Sequence, residues 1–129
     1  MTQLYPSKLY TLPLKGGEGQ YKLLKFWFAG CAPCKKQIPF ENKLVRKNKN
    51  LKLIHFCYST DFKKWKEYID ANKSLGQHFY LDADTYEKYK AVFNLGYAPR
   101  YILLNKDNEI VCWECSNPNN KEIENQLLK

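Results

Sequence analysis

The run Tyr21-Lys-Leu-Leu-Lys-Phe-Trp-Phe28 is β-rich and nearly continuous in apolar character, and it breaks at Ala29-Gly30 into Cys31-Ala32-Pro33-Cys34. Such a run suits a strand buried on both faces of a sheet. Pro33 suits a first helical turn, because its fixed φ is helical and its missing N–H would have been an orphan there anyway. Two cysteines therefore sit where a buried strand enters a helix. Near unpaired backbone N–H groups at a helix start the thiolate of the first is favoured. Cys31 is the candidate nucleophile and Cys34 its resolving partner.

The chain beyond this junction alternates in the same way. The helix runs to about Lys49, with Pro39 inside it removing one backbone hydrogen bond and kinking it. Leu51–Ser59 reads as a second central strand, and Thr60 or Asp61 supplies the N-cap of a helix over Phe62–Asn72. Ser74-Leu75-Gly76 ends that helix, His78–Leu81 is a short extended piece, and Asp84 caps a helix through Tyr86, Tyr89 and Phe93. Gly96-Tyr97-Ala98-Pro99 interrupts before a β-hairpin of Arg100–Asn105 and Glu109–Cys115 around Lys106-Asp107-Asn108. Ser116 or Asn117 caps a last helix with Pro118 at its first position. Upstream, Lys8–Leu12 reads as an edge strand, and residues 1–7 as a linker remnant.

At 129 residues the chain is one domain, 1–129, large enough to fold on a hydrophobic core. Its five cysteines form an odd, scattered set rather than a dense disulfide framework, so at least one thiol is unpaired within a monomer. The net charge of +8 concentrates after the motif, where seven lysines and arginines between Lys35 and Lys52 face only Glu41. With no nucleic-acid motif beside it, this reads as a solvated helix face. No run approaches the roughly 20 apolar residues that span a bilayer, and the first 15 residues lack a signal-type apolar core.

The order β, α, β, α, proline-led hairpin, helix resembles the thioredoxin fold, and more closely the TlpA/ResA-like thiol-disulfide oxidoreductases. The residues that carry the likeness are Phe26-Trp27 ahead of Cys31-Ala-Pro-Cys34, Pro39, Trp65 after Asp61, Ala98-Pro99-Arg100-Tyr101, and Asn117-Pro118-Asn119. The resemblance implies an α/β fold with a central mixed β-sheet flanked by helices on both faces. It implies thiol-disulfide exchange in the reductase direction, with the redox-active disulfide Cys31–Cys34 in place of any cofactor or metal. Pro99 would be cis and would position substrate, with Ala98 offering its backbone N–H and C=O, and Trp27 and Pro33 would join them. The implied partners are a disulfide-containing protein substrate and an electron-donor thiol protein, met by a monomer in the periplasm or cell envelope.

Three features depart from that pattern. Gly30 stands where the family has a tryptophan, and opens space beside the thiol. Lys25 stands where thioredoxins carry a buried aspartate, and could modulate the pKa of Cys34. Because an unpaired buried ammonium is costly, the expectation is that it snorkels to solvent. Cys112-Trp113-Glu114-Cys115 repeats the Cys-x-x-Cys spelling within a strand, where the two side chains should point to opposite faces and not bond. Cys57 reads as a small buried hydrophobe, and His55 and His78 as structural or surface residues. The rival readings are a zinc centre of Cys31, Cys34, Cys112 and Cys115, a peroxidase lacking its threonine before Cys31, and a binding or chaperone module with little redox turnover.

Overall fold

The computed structural model describes residues 19–128. The readings for residues 1–7 and Lys8–Leu12 lie outside them. Five strands form one sheet in the order β3-β2-β1-β4-β5: β1 (Tyr21–Trp27), β2 (Leu51–Cys57), β3 (Gln77–Tyr80), β4 (Arg100–Leu104) and β5 (Ile110–Cys112). β1, β2 and β3 run parallel, and β4 and β5 are antiparallel to their neighbours. Helices α1 (Ala32–Lys36), α2 (Ile38–Lys47), α3 (Phe62–Asn72), α4 (Ala83–Phe93) and α5 (Glu122–Leu127) complete the fold. The mixed sheet with helices is the architecture the thioredoxin resemblance implied.

Alternation along β1 sorts its side chains between two cores. Leu24 and Phe26 join Ile54, Phe56, Ile102 and Leu104 beneath Tyr89, Val92 and Phe93 of α4. Leu23 joins Leu53, Tyr101 and Leu103 beneath Leu44 of α2 and Ile123 and Leu127 of α5. Fully burying one such side chain is worth about 1.5–3 kcal/mol. These two layers therefore fix β1, and with it the turn that follows.

The single kinked helix after the motif is two helices. Gln37 ends α1 and begins α2, and Pro39 occupies the first turn of α2, where no N–H is needed. Asp82, not Asp84, caps α4, accepting the Thr85 N–H at 2.8 Å. The last helix begins at Glu122 rather than Pro118; residues 118–121 form turns, and the Glu122 carboxylate accepts the Ser116 N–H at 2.8 Å. The hairpin's second strand stops at Cys112.

Candidate active site

The carboxyl ends of β1 and β2 are where an open α/β sheet presents a crevice. Beyond β1 the chain turns sharply, the Cys31 N–H donating to the Phe28 carbonyl at 3.1 Å. Thr60, read as a helix cap, instead holds this turn: its Oγ1 accepts the Ala29 N–H at 3.0 Å and donates to the Tyr58 carbonyl at 2.9 Å. Asp61 is the residue preceding α3. The turn delivers Cys31 as the N-cap of α1, with its Sγ accepting the Cys34 N–H at 3.2 Å. A sulfur that accepts a backbone N–H is placed to be stabilised as a thiolate.

Cys31 and Cys34 are joined in a disulfide. Cys34 is fully buried, whereas Cys31 retains 5% exposure and borders a groove of about 660 Å³. Pro33, Gly30 and Phe28 form the Cys31 side of this groove, and Tyr58, Tyr86, Lys90, Tyr97 and Ala98 line the remainder. The Ala98–Pro99 peptide is cis. Ala98 lines the groove, and Pro99 is buried behind it. Trp27, read as substrate-positioning, is only 3% exposed; its ring packs 4.8 Å from that of Tyr68 and backs the disulfide from within. A side chain on Gly30 would meet only the Phe28 ring, at 3.7 Å, so the groove is open there because nothing occupies it.

Lys25 does not snorkel. It is 2% exposed, its Nζ lies 2.7 Å from Glu41 Oε2, and it donates to the Cys34 carbonyl at 3.1 Å. The expectation failed because it assumed no partner: Glu41, the one acidic residue of the otherwise basic α2, turns inward and is fully buried. Tyr101 Oη donates to the same carboxylate oxygen. Burial holds the Lys25 ammonium below its usual range, and Glu41 opposes that shift. A charged pair thus lies directly beneath the inner cysteine.

A family model described as thioredoxin-like matches residues 19–110. The chain belongs to the thioredoxin-like family. It is 25% identical over 120 residues to the thiol-disulfide oxidoreductase ResA of Bacillus thuringiensis, covering 92% of this chain and 68% of the relative. A thiol:disulfide interchange protein from Bacteroides sp. is 28% identical, with a TM-score of 0.68 over 74% of this chain and 64% of its own. The thioredoxin domain of a thiol-disulfide oxidoreductase from Bacteroides vulgatus superposes with a TM-score of 0.79 at 24% identity, covering 89% and 81%. The activity class is thiol-disulfide oxidoreductase, an enzyme homologous to ResA, with Cys31 and Cys34 as its Cys-x-x-Cys pair.

Within this thioredoxin-like frame, Cys112 and Cys115 form a second disulfide, against the strand-based expectation. The reason is that β5 ends at Cys112, so Trp113 and Glu114 loop outward and Cys115 returns, its N–H donating to the Tyr101 carbonyl at 3.0 Å. The four cysteines of the zinc reading are thus engaged in two separate disulfides. Cys57 is the free cysteine, fully buried, and burial pushes its thiol up to about 11. A thiol so held is protonated at neutral pH and is a poor nucleophile.

Sequence reasoning did not find Glu41, Tyr97 or Tyr101. Glu41 carried a signal, as the one acid in a basic helix; the two tyrosines carried none.

Proposed function

We propose that this oxidoreductase reduces disulfides of polypeptides outside the cytoplasm, acting as a monomer recharged by a dithiol electron donor. The observation that carries it is the asymmetry of the pair: one sulfur on the groove, the other sealed behind it. In the dithiol form the Cys31 thiolate attacks one substrate sulfur, forming a mixed disulfide and releasing the other sulfur as a thiolate that takes a proton. Cys34, deprotonated, then attacks Cys31 Sγ, which restores the Cys31–Cys34 disulfide and frees the second substrate thiol. Two electrons pass to the substrate, and the donor dithiol returns them.

Pro33, Ala98 and Pro99 position the substrate chain in this reading, with the backbone of Ala98 beside the groove as its strand-like contact. Lys25 acts on Cys34 from behind: a positive charge bonded to the Cys34 carbonyl favours the thiolate that must form there. A second disulfide in a chain of this size supports the oxidising compartment.

Replacing Cys34 with Ser tests the exchange. Dithiothreitol-sensitive adducts on Cys31 are expected, absent from the variant lacking both cysteines. No adduct would favour the binding-module reading. A reduction potential near about −270 mV supports the reductase direction, and one near about −120 mV would reverse it.

A further inference from the structure

The loop closed by the second disulfide touches the active site's own wall at several points. The Trp113 carbonyl accepts a hydrogen bond from the Arg100 guanidinium at 2.8 Å, and the Trp113 ring packs 5.7 Å from Phe93. Glu114 Oε2 accepts from Tyr97 Oη at 2.7 Å. Arg100, 2% exposed, also donates to the Asn94 carbonyl at 2.8 Å and lies 5.4 Å from the centre of the Tyr97 ring. Residues 94–100, which include the Ala98–Pro99 peptide, are thus tied to the 112–115 loop by side chains on both sides.

Tyr97 is the member of this set that lies open on the groove. It is 55% exposed, follows Gly96 in irregular backbone, and lines the groove that Cys31 borders. An exposed tyrosine on such a segment keeps its rotamer freedom unless something holds its far end, and one hydrogen bond between exposed groups is a weak restraint. Here the acceptor is itself held, because Glu114 sits between two bonded cysteines and Cys115 is buried in the core. A bridge spanning two intervening residues restricts little of the unfolded chain, so its effect falls on local geometry more than on global stability.

We propose that Cys112–Cys115 is a permanent clasp that does not exchange, and that through Glu114 it fixes Tyr97 as the contact for an apolar or aromatic residue flanking a substrate half-cystine. The proposal rests on the polypeptide-disulfide reading above. Glu114 and the clasp are positioning residues; Tyr97 alone touches substrate.

The test compares insulin, a polypeptide disulfide, with 2-hydroxyethyl disulfide, which carries no flanking residue to meet Tyr97. Glu114→Ala leaves both disulfides in place and removes only an exposed carboxylate, so it remains informative if C112A/C115A folds poorly. For both variants the KM for insulin is expected to rise about five- to tenfold with kcat held, while 2-hydroxyethyl disulfide kinetics stay at wild-type values. Adding Glu114→Ala to C112A/C115A should raise KM little further, since both act on the same tyrosine. Alkylation and peptide mapping during turnover should label Cys31 and leave Cys112 and Cys115 bridged.

An active wild type whose insulin KM is unmoved by Glu114→Ala overturns the clasp and leaves the oxidoreductase reading standing. Equal losses on both substrates, or labelled Cys112 during turnover, overturn it as well. A wild type that reduces neither substrate defeats the oxidoreductase reading, and the clasp with it.

Discussion

Lys25 shows how one residue changes meaning with its partner. Taking an ammonium out of water costs several kcal/mol, recovered only when a carboxylate and further hydrogen bonds surround it. Glu41 at 2.7 Å and the Cys34 carbonyl at 3.1 Å supply both. Glu41 Oε1, buried, has no hydrogen-bond partner among the described residues, so the pair is held by one oxygen that Tyr101 shares. Glu41→Gln should therefore cost about 3–5 kcal/mol, because the ammonium would then face a neutral amide in the core. The apolar double variant Lys25→Met/Glu41→Leu should recover most of that loss, since it buries no charge. Urea denaturation of the oxidised proteins measures both. A Glu41→Gln variant as stable as the parent would mean that Lys25 is already neutral when folded. The same double variant removes the positive charge behind Cys34, so the second step of exchange should slow even where stability returns.

At the scale of elements, the connection from α3 to β3 lies hard against the sheet at Gly76. Gly76 has φ +105°, and a Cβ there would lie 2.6 Å from the Leu53 carbonyl oxygen of β2. That neighbour is the backbone of an inner strand and cannot yield as a side-chain tip would. Gly76→Ala should destabilise by roughly 2–4 kcal/mol, combining a strained backbone with overpacking. Gly96→Ala, where nothing lies within 4 Å, should fall within about 0.5 kcal/mol of the parent. Chemical denaturation of the two variants separates a required glycine from a tolerated one. Gly76 was legible only as a helix stop, since the approach of β2 is a tertiary fact. β1, β2 and α3 were legible closely because apolar periodicity sets them. The Cys112–Cys115 bridge was not, because the strand pattern carries no mark of where pairing with β4 ends after the register shift at Leu103/Leu104. The start of α5 was missed for a similar reason: Asn117-Pro118 has the composition of a cap, but the Glu122 carboxylate performs the nearest bonding to Ser116.

Across the whole molecule, one row of polar residues crosses the sheet on the face that also carries Trp27 and Cys57. Tyr101, Lys25, His55 and His78 are successive register partners on β4, β1, β2 and β3. The two imidazoles stack with centroids 4.3 Å apart, His55 Nε2 donating to the Leu75 carbonyl at 2.7 Å and His78 Nε2 to the Ser74 carbonyl at 2.9 Å. Burial, then the neighbouring His78 and Lys25, hold His55 well below its ordinary 6.5, and burial lowers His78 as well. In the unfolded chain both titrate near the ordinary value, so below it the unfolded state binds protons that the fold refuses. Stability is then complete above about pH 6.5 and falls as the pH drops toward the folded pKa values, by up to about 1.4 kcal/mol per pH unit for each histidine. Between pH 7.5 and 5.5 the loss should reach roughly 1–2 kcal/mol, above the range in which exposed carboxylates titrate. Urea midpoints across that interval measure it, and His55→Leu/His78→Phe should flatten the dependence. If the slope survives in that double variant, the protons are taken up elsewhere. Because this row shares β1 and β2 with Trp27 and Cys57 behind the disulfide, acid that loosens it should also loosen the inner wall of the active site, and loss of insulin reduction should follow the same pH interval.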